Sequence, residues 1–358
     1  VRRGALVPLA AAAALALLAG CSGSSGDPRE DAVEGTVTTV VVPRYAAAAE
    51  ASEDLREDVV ALCRAPSAAA LAAARRSWHR ARIAWSGTEA AWIGPVMDRR
   101  SEGLVDWPAS GDRVDAVIDE AAPPLGPDTV RATSTSARGL GALEHLLFAD
   151  GERTAARLRG EPERCAYASA VATVAAEESD AVSRAWSEGV DGEPPYAEAL
   201  TGEGPDAIDA EEAVGMLVER HLFLVERIAD AEIGASLGMR GTPLPEALAE
   251  GAAGAGAEDV AARLEGIRAE YAPGGEDGEA TLGDLLRERD PDVHARLAQR
   301  LDAAIAAARA VEGPLAGDAG ARRGVREAVK EAQTVLETEV VSVLGVTVGF
   351  SDNDGDSG

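Results

Sequence analysis

Apolar residues recur every three or four positions along most of the chain, and strict alternation of apolar and polar residues is nearly absent. That period is the signature of amphipathic helices, and abundant alanine favours the same state. Helices are predicted at about 43–64, 67–93, 112–121, 128–149, 161–188, 210–238, 256–272, 281–311 and 320–345, so the fold class is all-α. The β-branched stretch from Thr36 to Val42 breaks the pattern. It either pairs with the valines near 340–348 or leads into the first helix, and the lead-in is the preferred reading.

Turn signals punctuate the helices at Gly94-Pro95, Trp107-Pro108 and Pro123-Pro124. The polar run from Gly189 to Asp206, with Pro194-Pro195 and Gly204-Pro205, is the clearest boundary. A chain of 358 residues exceeds what one core usually serves, since cores tend to divide beyond about 250–300 residues. Two helical bundles packed together are therefore expected, an N-terminal one over 36–200 and a C-terminal one over 205–350, with roughly four long helices each.

The N-terminal end changes the expected compartment. Arg2 and Arg3 precede an apolar run from Ala5 to Ala19, which reads as a secretory signal over 1–20, too short for a durable membrane span. The tetrad Leu18-Ala19-Gly20-Cys21 resembles the lipobox of bacterial lipoproteins. That resemblance implies cleavage before Cys21 and lipid on its thiol, hence an extracytoplasmic protein of the cell envelope, anchored to a membrane. Residues 21–35 lack an apolar period and read as a flexible tether.

Formal charge is −28, and loss of Arg2 and Arg3 with the signal makes it −30. Such a surface repels phosphate backbones, which excludes nucleic acid as a partner. It suits a solvated exported protein and also draws cations. Behind Cys21 only Cys63 and Cys165 remain, and outside the cytoplasm two thiols are expected to join as a disulfide. The terminal "SDNDGDSG" alternates Asp352, Asp354 and Asp356 like half of a calcium loop, but without the distal glutamate it reads as an acidic tail over 351–358.

The densest candidate chemistry is "SWHRARIAWSGTEAAWIGP", residues 77–95. On one continuous helix Trp78, Arg82, Trp85, Glu89 and Trp92 share a stripe. Aromatic stripes are usually core, yet charges inside one must be paired or line a cavity. Glu144 poses the same question beside Leu140, Leu143 and Leu147. Glu144 either partners Arg82 or another buried donor, or lies beside Glu89 across the first bundle, where carboxylates from two helices converge on a ligand. No Glu-x-x-His pair supports a di-iron site on these helices, and His79, His145, His221 and His294 are scattered. Hydrolase, phosphate-loop, zinc-protease and dinucleotide motifs are absent.

Taken together, Cys63 with Ala65-Pro66, Trp78 through Pro95, Val105 through Pro108, Arg138 through Phe148, Arg164-Cys165 with the helix to Trp186, and "LGVTVGFSDNDGD" resemble the imelysin-like proteins. The resemblance implies an envelope protein of two helical bundles with links to iron acquisition, some members being peptidases and one relative serving a ferrous-iron uptake system. The family hallmark is Gly-x-His-x-x-Glu; here Gly139 and Glu144 keep the pattern and Gly141 stands at the histidine. Oxygen from Glu144 alone argues against a transition-metal hydrolase site. Gly141 lets a ligand or a neighbouring backbone approach. The leading expectation is a lipoprotein that binds a small ligand or iron species through Arg82, Trp85, Glu89 and Glu144, with an iron transporter component as partner. The alternatives are a metallopeptidase using Glu144 with a histidine from elsewhere, and a scaffold in which these charges satisfy one another.

Overall fold

The computed structural model describes residues 26–120, 124–190, 192–239, 241–248, 251–274 and 278–347, and the fold is all-α, with no strand among them. The signal, Cys21 and the acidic tail lie outside the described residues.

The longest helical run starts earlier than the sequence suggests. Helix α1 (Pro28–Thr36) passes through a π-helical turn (Val37–Val41) into α2 (Val42–Arg64). Pro43 has no N–H and its ring crowds the carbonyl four residues back, so an ordinary helix could not continue across it. The wider turn, closed by the Val42 N–H on the Val37 carbonyl, absorbs that conflict. Residues 28–35 are therefore no tether: Asp27 caps α1, and Ala32, Val33 and Gly35 are buried. Thr36 to Val42 is helical interior instead of a lead-in.

Helices α2, α3 (Ala68–Gly87), α5 (Gly139–Phe148) and α6 (Pro162–Ser187) pack on one another, and α4 (Gly111–Glu120) lies over α5. In the C-terminal half α7 (Ala210–Glu226) runs into a second π-helical segment (Arg227–Gly234). It is followed by α8 (Gly256–Glu270), α9 (Leu282–Arg289), α10 (Pro291–Arg309) and α11 (Ala319–Val335), with α10 packed between α8 and α11. The predicted helix over 128–149 is interrupted at 133–138, and that over 281–311 breaks at Asp290, whose side chain caps α10 just before Pro291.

The halves meet where α3 lies against α8 and where α1 lies against α7 and α9. Helix α1 belongs by packing to the C-terminal half, and the Leu282 N–H donates to Thr36 Oγ1 at 2.9 Å. Buried apolar side chains run as one cluster from Ala32 to Leu344, without an apolar gap at the seam.

Cys63 at the end of α2 and Cys165 at the start of α6 form the expected disulfide, 102 residues apart. Closing a loop of that length stabilises by about 4–5 kcal/mol on the chain-entropy estimate. Thiol labelling of the native protein should find neither cysteine reactive before reduction. Cys63→Ser with Cys165→Ser should lower unfolding stability by several kcal/mol in denaturant titration, and two freely reactive native thiols would exclude the bridge.

Candidate functional site: a buried ionic seam

The stripe on α3 is real but shorter than predicted. Trp78, Arg82 and Trp85 are buried along one face, and the helix ends at Gly87. Glu89 sits in a 3-10 turn (Glu89–Ala91), and Trp92 follows that turn, so neither extends the helical stripe. The turn redirects Glu89 toward α7 and α8.

Arg82 is bound by two aspartates and also feels the Glu144 charge. Its Nη1 donates to Asp106 at 2.9 Å and its Nε to Asp259 on α8 at 3.1 Å, and Ser86 also donates to Asp259. The other Asp259 oxygen pairs with Arg263, one helical turn on, at 2.8 Å. Arg263 reaches Glu232 at 2.9 Å, and Glu232 pairs with Arg227 at 2.9 Å. Arg227 then meets Glu89 at 3.1 Å, while Arg220 Nε donates to the Glu89 carbonyl at 2.7 Å. Charges of opposite sign thus alternate from Asp106 to Arg227 and Glu89 along the seam.

The π-helical segment makes this sequence of pairs possible. Arg227 and Glu232 are five residues apart, which in an α-helix places them about 140° apart around the axis. The i→i+5 register brings the two side chains onto one face, where Arg227 Nε donates to Glu232.

Removing these charges from water is costly, and mutual pairing offsets the cost only while the network stays complete. Burial pushes Asp259 up, but Arg263, Arg82 and the Ser86 hydroxyl outweigh it and hold this carboxyl far below the ordinary range. Glu232 is likewise lowered, burial being overcome by Arg263 and Arg227. Asp106 lies at the end of the row with Arg82 as its cation, and burial raises it to about 7. Glu89 is raised by burial despite Arg227, and burial lowers Arg220 to about 10.

Three buried atoms in this region have no hydrogen-bond partner: Trp85 Nε1, Arg220 Nη2 and Glu89 Oε2. Glu89 Oε2 lies 3.8 Å from Arg220 Nη2, and its ion pair with Arg227 lacks hydrogen-bond geometry. The Arg220 guanidinium is stacked against Trp92 and Phe223, 5.4 and 5.0 Å from the ring centres, and Phe223 is 53% exposed. Trp85 packs on Trp92 with centroids 5.8 Å apart.

Glu144 is also buried, and its charge raises the proton affinity of Arg82. Trp78 Nε1 donates to the Leu140 carbonyl at 2.8 Å, fixing α5 against α3. From α5 the Glu144 carboxylate crosses to the C-terminal half and accepts the Ala253 N–H at 2.8 Å. A Cβ on Gly251 would stand 2.3 Å from Glu144 Oε2, so a side chain there would push the carboxylate from this position. At Gly141 a Cβ would lie 2.8 Å from the Trp107 carbonyl and 3.0 Å from Ala109 Cβ. The space at this family position is thus filled by the 107–109 chain and does not enlarge a pocket.

No histidine substitutes for the missing one in these contacts. His145 faces Asp115 and Arg164, His79 lies beside Glu258, His221 is held by Glu270 and Tyr271, and His294 contacts the Tyr271 carbonyl. Among the described residues no group of three or more His, Cys, Asp or Glu side chains is placed to hold a metal ion. Glu89 pairs with Arg227 and Glu144 accepts from the Ala253 amide, so each carboxylate has a partner of its own in the C-terminal half. Sequence analysis missed Asp106, Asp259, Arg263, Glu232, Arg227 and Arg220; the Asp259-Arg263 spacing of four was a visible pairing signal, whereas the π register was not.

An all-helical protein whose two halves are joined through buried arginine–carboxylate pairs and an outward-reaching glutamate defines the class. The Imelysin family model matches residues 41–343, and the chain belongs to the imelysin family. A curated relative, iron-regulated protein A of Synechococcus elongatus, is 32% identical over 149 residues, which is 41% of this chain and 40% of that protein. The chain thus spans about two-fifths of that relative's length. The solved iron-regulated protein A precursor of Parabacteroides distasonis is similar in fold, with TM-score 0.76, 19% identity, and coverage of 90% of this chain and 97% of that one. An imelysin-like protein from Psychrobacter arcticum gives TM-score 0.74, 21% identity and the same coverages.

Two outcomes test this geometry. Asp106 titrates near 7 when folded and near 3.8 ordinarily, so the folded protein retains a proton that the unfolded chain releases between those values. Its contribution to stability is fullest at the acidic end of that window and declines as pH rises to about 7. Denaturant midpoints across the window should show this component, and Asp106→Asn should remove it. Gly141→His, which restores the family motif, should destabilise by about 1–3 kcal/mol, because the imidazole must displace the 107–109 backbone. A thermal melt equal to that of the parent would refute the close approach.

Proposed function

We propose that the protein is an envelope lipoprotein, anchored through lipid on Cys21, that binds a small polar ligand or an iron species at the seam and delivers it to an uptake component. The carrying observation is the set of sealed polar atoms without hydrogen-bond partners, Trp85 Nε1, Arg220 Nη2 and Glu89 Oε2, the last held by its ion pair with Arg227. Each buried, unpaired group costs about 1–3 kcal/mol, a cost that a ligand offering an acceptor to the two donors and a donor or cation to Glu89 removes. Arg82, Trp85, Glu89 and Glu144 are all buried, and the Glu144 carboxylate accepts from the Ala253 amide of the other half.

Iron enters this reading as cargo. The curated relative is named for regulation by iron, and the acidic surface of this chain draws cations toward it. Oxygen ligands from Glu89 and Glu144 suit a chelated or hydrated iron better than a nitrogen-rich catalytic centre. No helix among the described residues is long and apolar enough to cross a membrane, and attachment in this reading rests on the Leu18-Ala19-Gly20-Cys21 tetrad.

Isothermal calorimetry on protein lacking the first 21 residues, with ferrous ion and ferric citrate as probes, tests the proposal. Binding by the parent and loss of about tenfold or more in affinity for Glu144→Gln, about 1.4 kcal/mol, is the expected result. Unchanged affinity removes Glu144 from the site, and no binding of either probe removes iron from the proposal.

A further inference from the structure

Away from the seam's ion pairs, the C-terminal half holds three adjoining polar side chains that the binding reading does not use. His221 on α7, Glu270 at the end of α8 and Tyr271 just after it are 0%, 1% and 0% exposed. His221 Nε2 lies 2.8 Å from Glu270 Oε2, and His221 Nδ1 lies 3.2 Å from the Tyr271 hydroxyl. A carboxylate only accepts, so in the neutral imidazole the proton belongs on Nε2, and Nδ1 accepts from the phenol. One assignment therefore satisfies all three groups, in the order Tyr271 O–H to His221, His221 N–H to Glu270.

The order is that of a phenol resting on a base whose positive form has a counter-charge waiting. Sealed from water, the triad meets no substrate, which removes acid–base chemistry on an external molecule. Electron transfer needs no such contact. Tyr45 and Tyr167 make an instructive contrast, because their hydroxyls donate to the carbonyls of Ala91 and Ala137 at 2.9 and 2.7 Å. A backbone carbonyl is too weak a base to take a phenolic proton, whereas imidazole is a competent one. Burial also holds the Tyr271 phenol far above its ordinary range, so the proton does not leave without the electron.

We propose that Tyr271 is a redox-active tyrosine that gives one electron to an outer-sphere oxidant of the metal(III)-complex class, with His221 as its proton acceptor and Glu270 as the group that stabilises the resulting imidazolium. In the step, the Tyr271 O–H bond breaks and its proton forms a bond to His221 Nδ1. The electron passes to the metal(III) centre of the oxidant, which becomes metal(II). The products are a neutral tyrosyl radical and an imidazolium paired with Glu270, so charge and atoms balance. Reduction of the radical returns the proton from Nδ1 to the phenolic oxygen.

The test oxidises the full-length protein with flash-generated tris(bipyridine)ruthenium(III) and traps the product by freezing for electron paramagnetic resonance. Tyr271→Phe should reduce the tyrosyl signal at least about tenfold, while Tyr45→Phe and Tyr167→Phe leave it near the parent level. Glu270→Gln, which removes the counter-charge, should reduce it by about tenfold. In parent protein carrying 15N-histidine, the radical should show coupling to a histidine nitrogen. That spectrum needs no substitution, so it decides the matter even where a variant fails to fold. A full-strength signal in Tyr271→Phe, or a parent radical without histidine coupling, overturns the assignment.

Discussion

A charge moved from water into a protein interior must find its opposite there, and in this molecule the opposites stand on different halves of the chain. Arg82 on α3 has Asp259 on α8 as a partner, and Glu89 has Arg227 beyond α7. Removing one partner from a buried pair typically costs about 3–5 kcal/mol, because the other charge is left uncompensated. The halves are consequently bound to one relative placement: sliding α3 along α8 would break several pairs at once. Apolar burial holds the halves together, and the ionic row selects the register.

The same seam explains why the region combines rigidity with unsatisfied groups. Asp259 takes part in two ion pairs and accepts from Ser86, leaving it firmly ionised. Glu89 and Asp106 are less well compensated, and their carboxyls are displaced upward. The middle of the row is thus more fully compensated than its ends. Glu144 adds a direct link, since its carboxylate holds the Ala253 amide of the opposite half.

The resemblance to the imelysin family also acquires physical content from Gly141. The familiar histidine is not merely missing; the 107–109 chain occupies the place its side chain would need. A glycine at that position thus belongs with the path from Asp106 through Trp107 and Ala109, the path that also delivers Asp106 to Arg82. Gly251 lies against the Glu144 carboxylate from the other half, a softer contact because a side-chain end can shift.

Helical class, most of the helices, the Cys63–Cys165 bridge and the family were legible in the chain, because apolar period, paired cysteines and local motifs are properties of near neighbours in sequence. The importance of Arg82 and Glu89 was legible too, since charges within an aromatic run must be accounted for. Their partners were not. Whether Arg82 meets Glu144 or Asp259, 177 residues away, depends on how α3 and α8 approach. Likewise, the pairing of Arg227 with Glu232 depends on a π turn that no α-helical spacing reveals. Local sequence determined which groups would demand compensation, and only the tertiary structure decided which distant groups supply it, because electrostatic pairing acts through space and burial sets its strength.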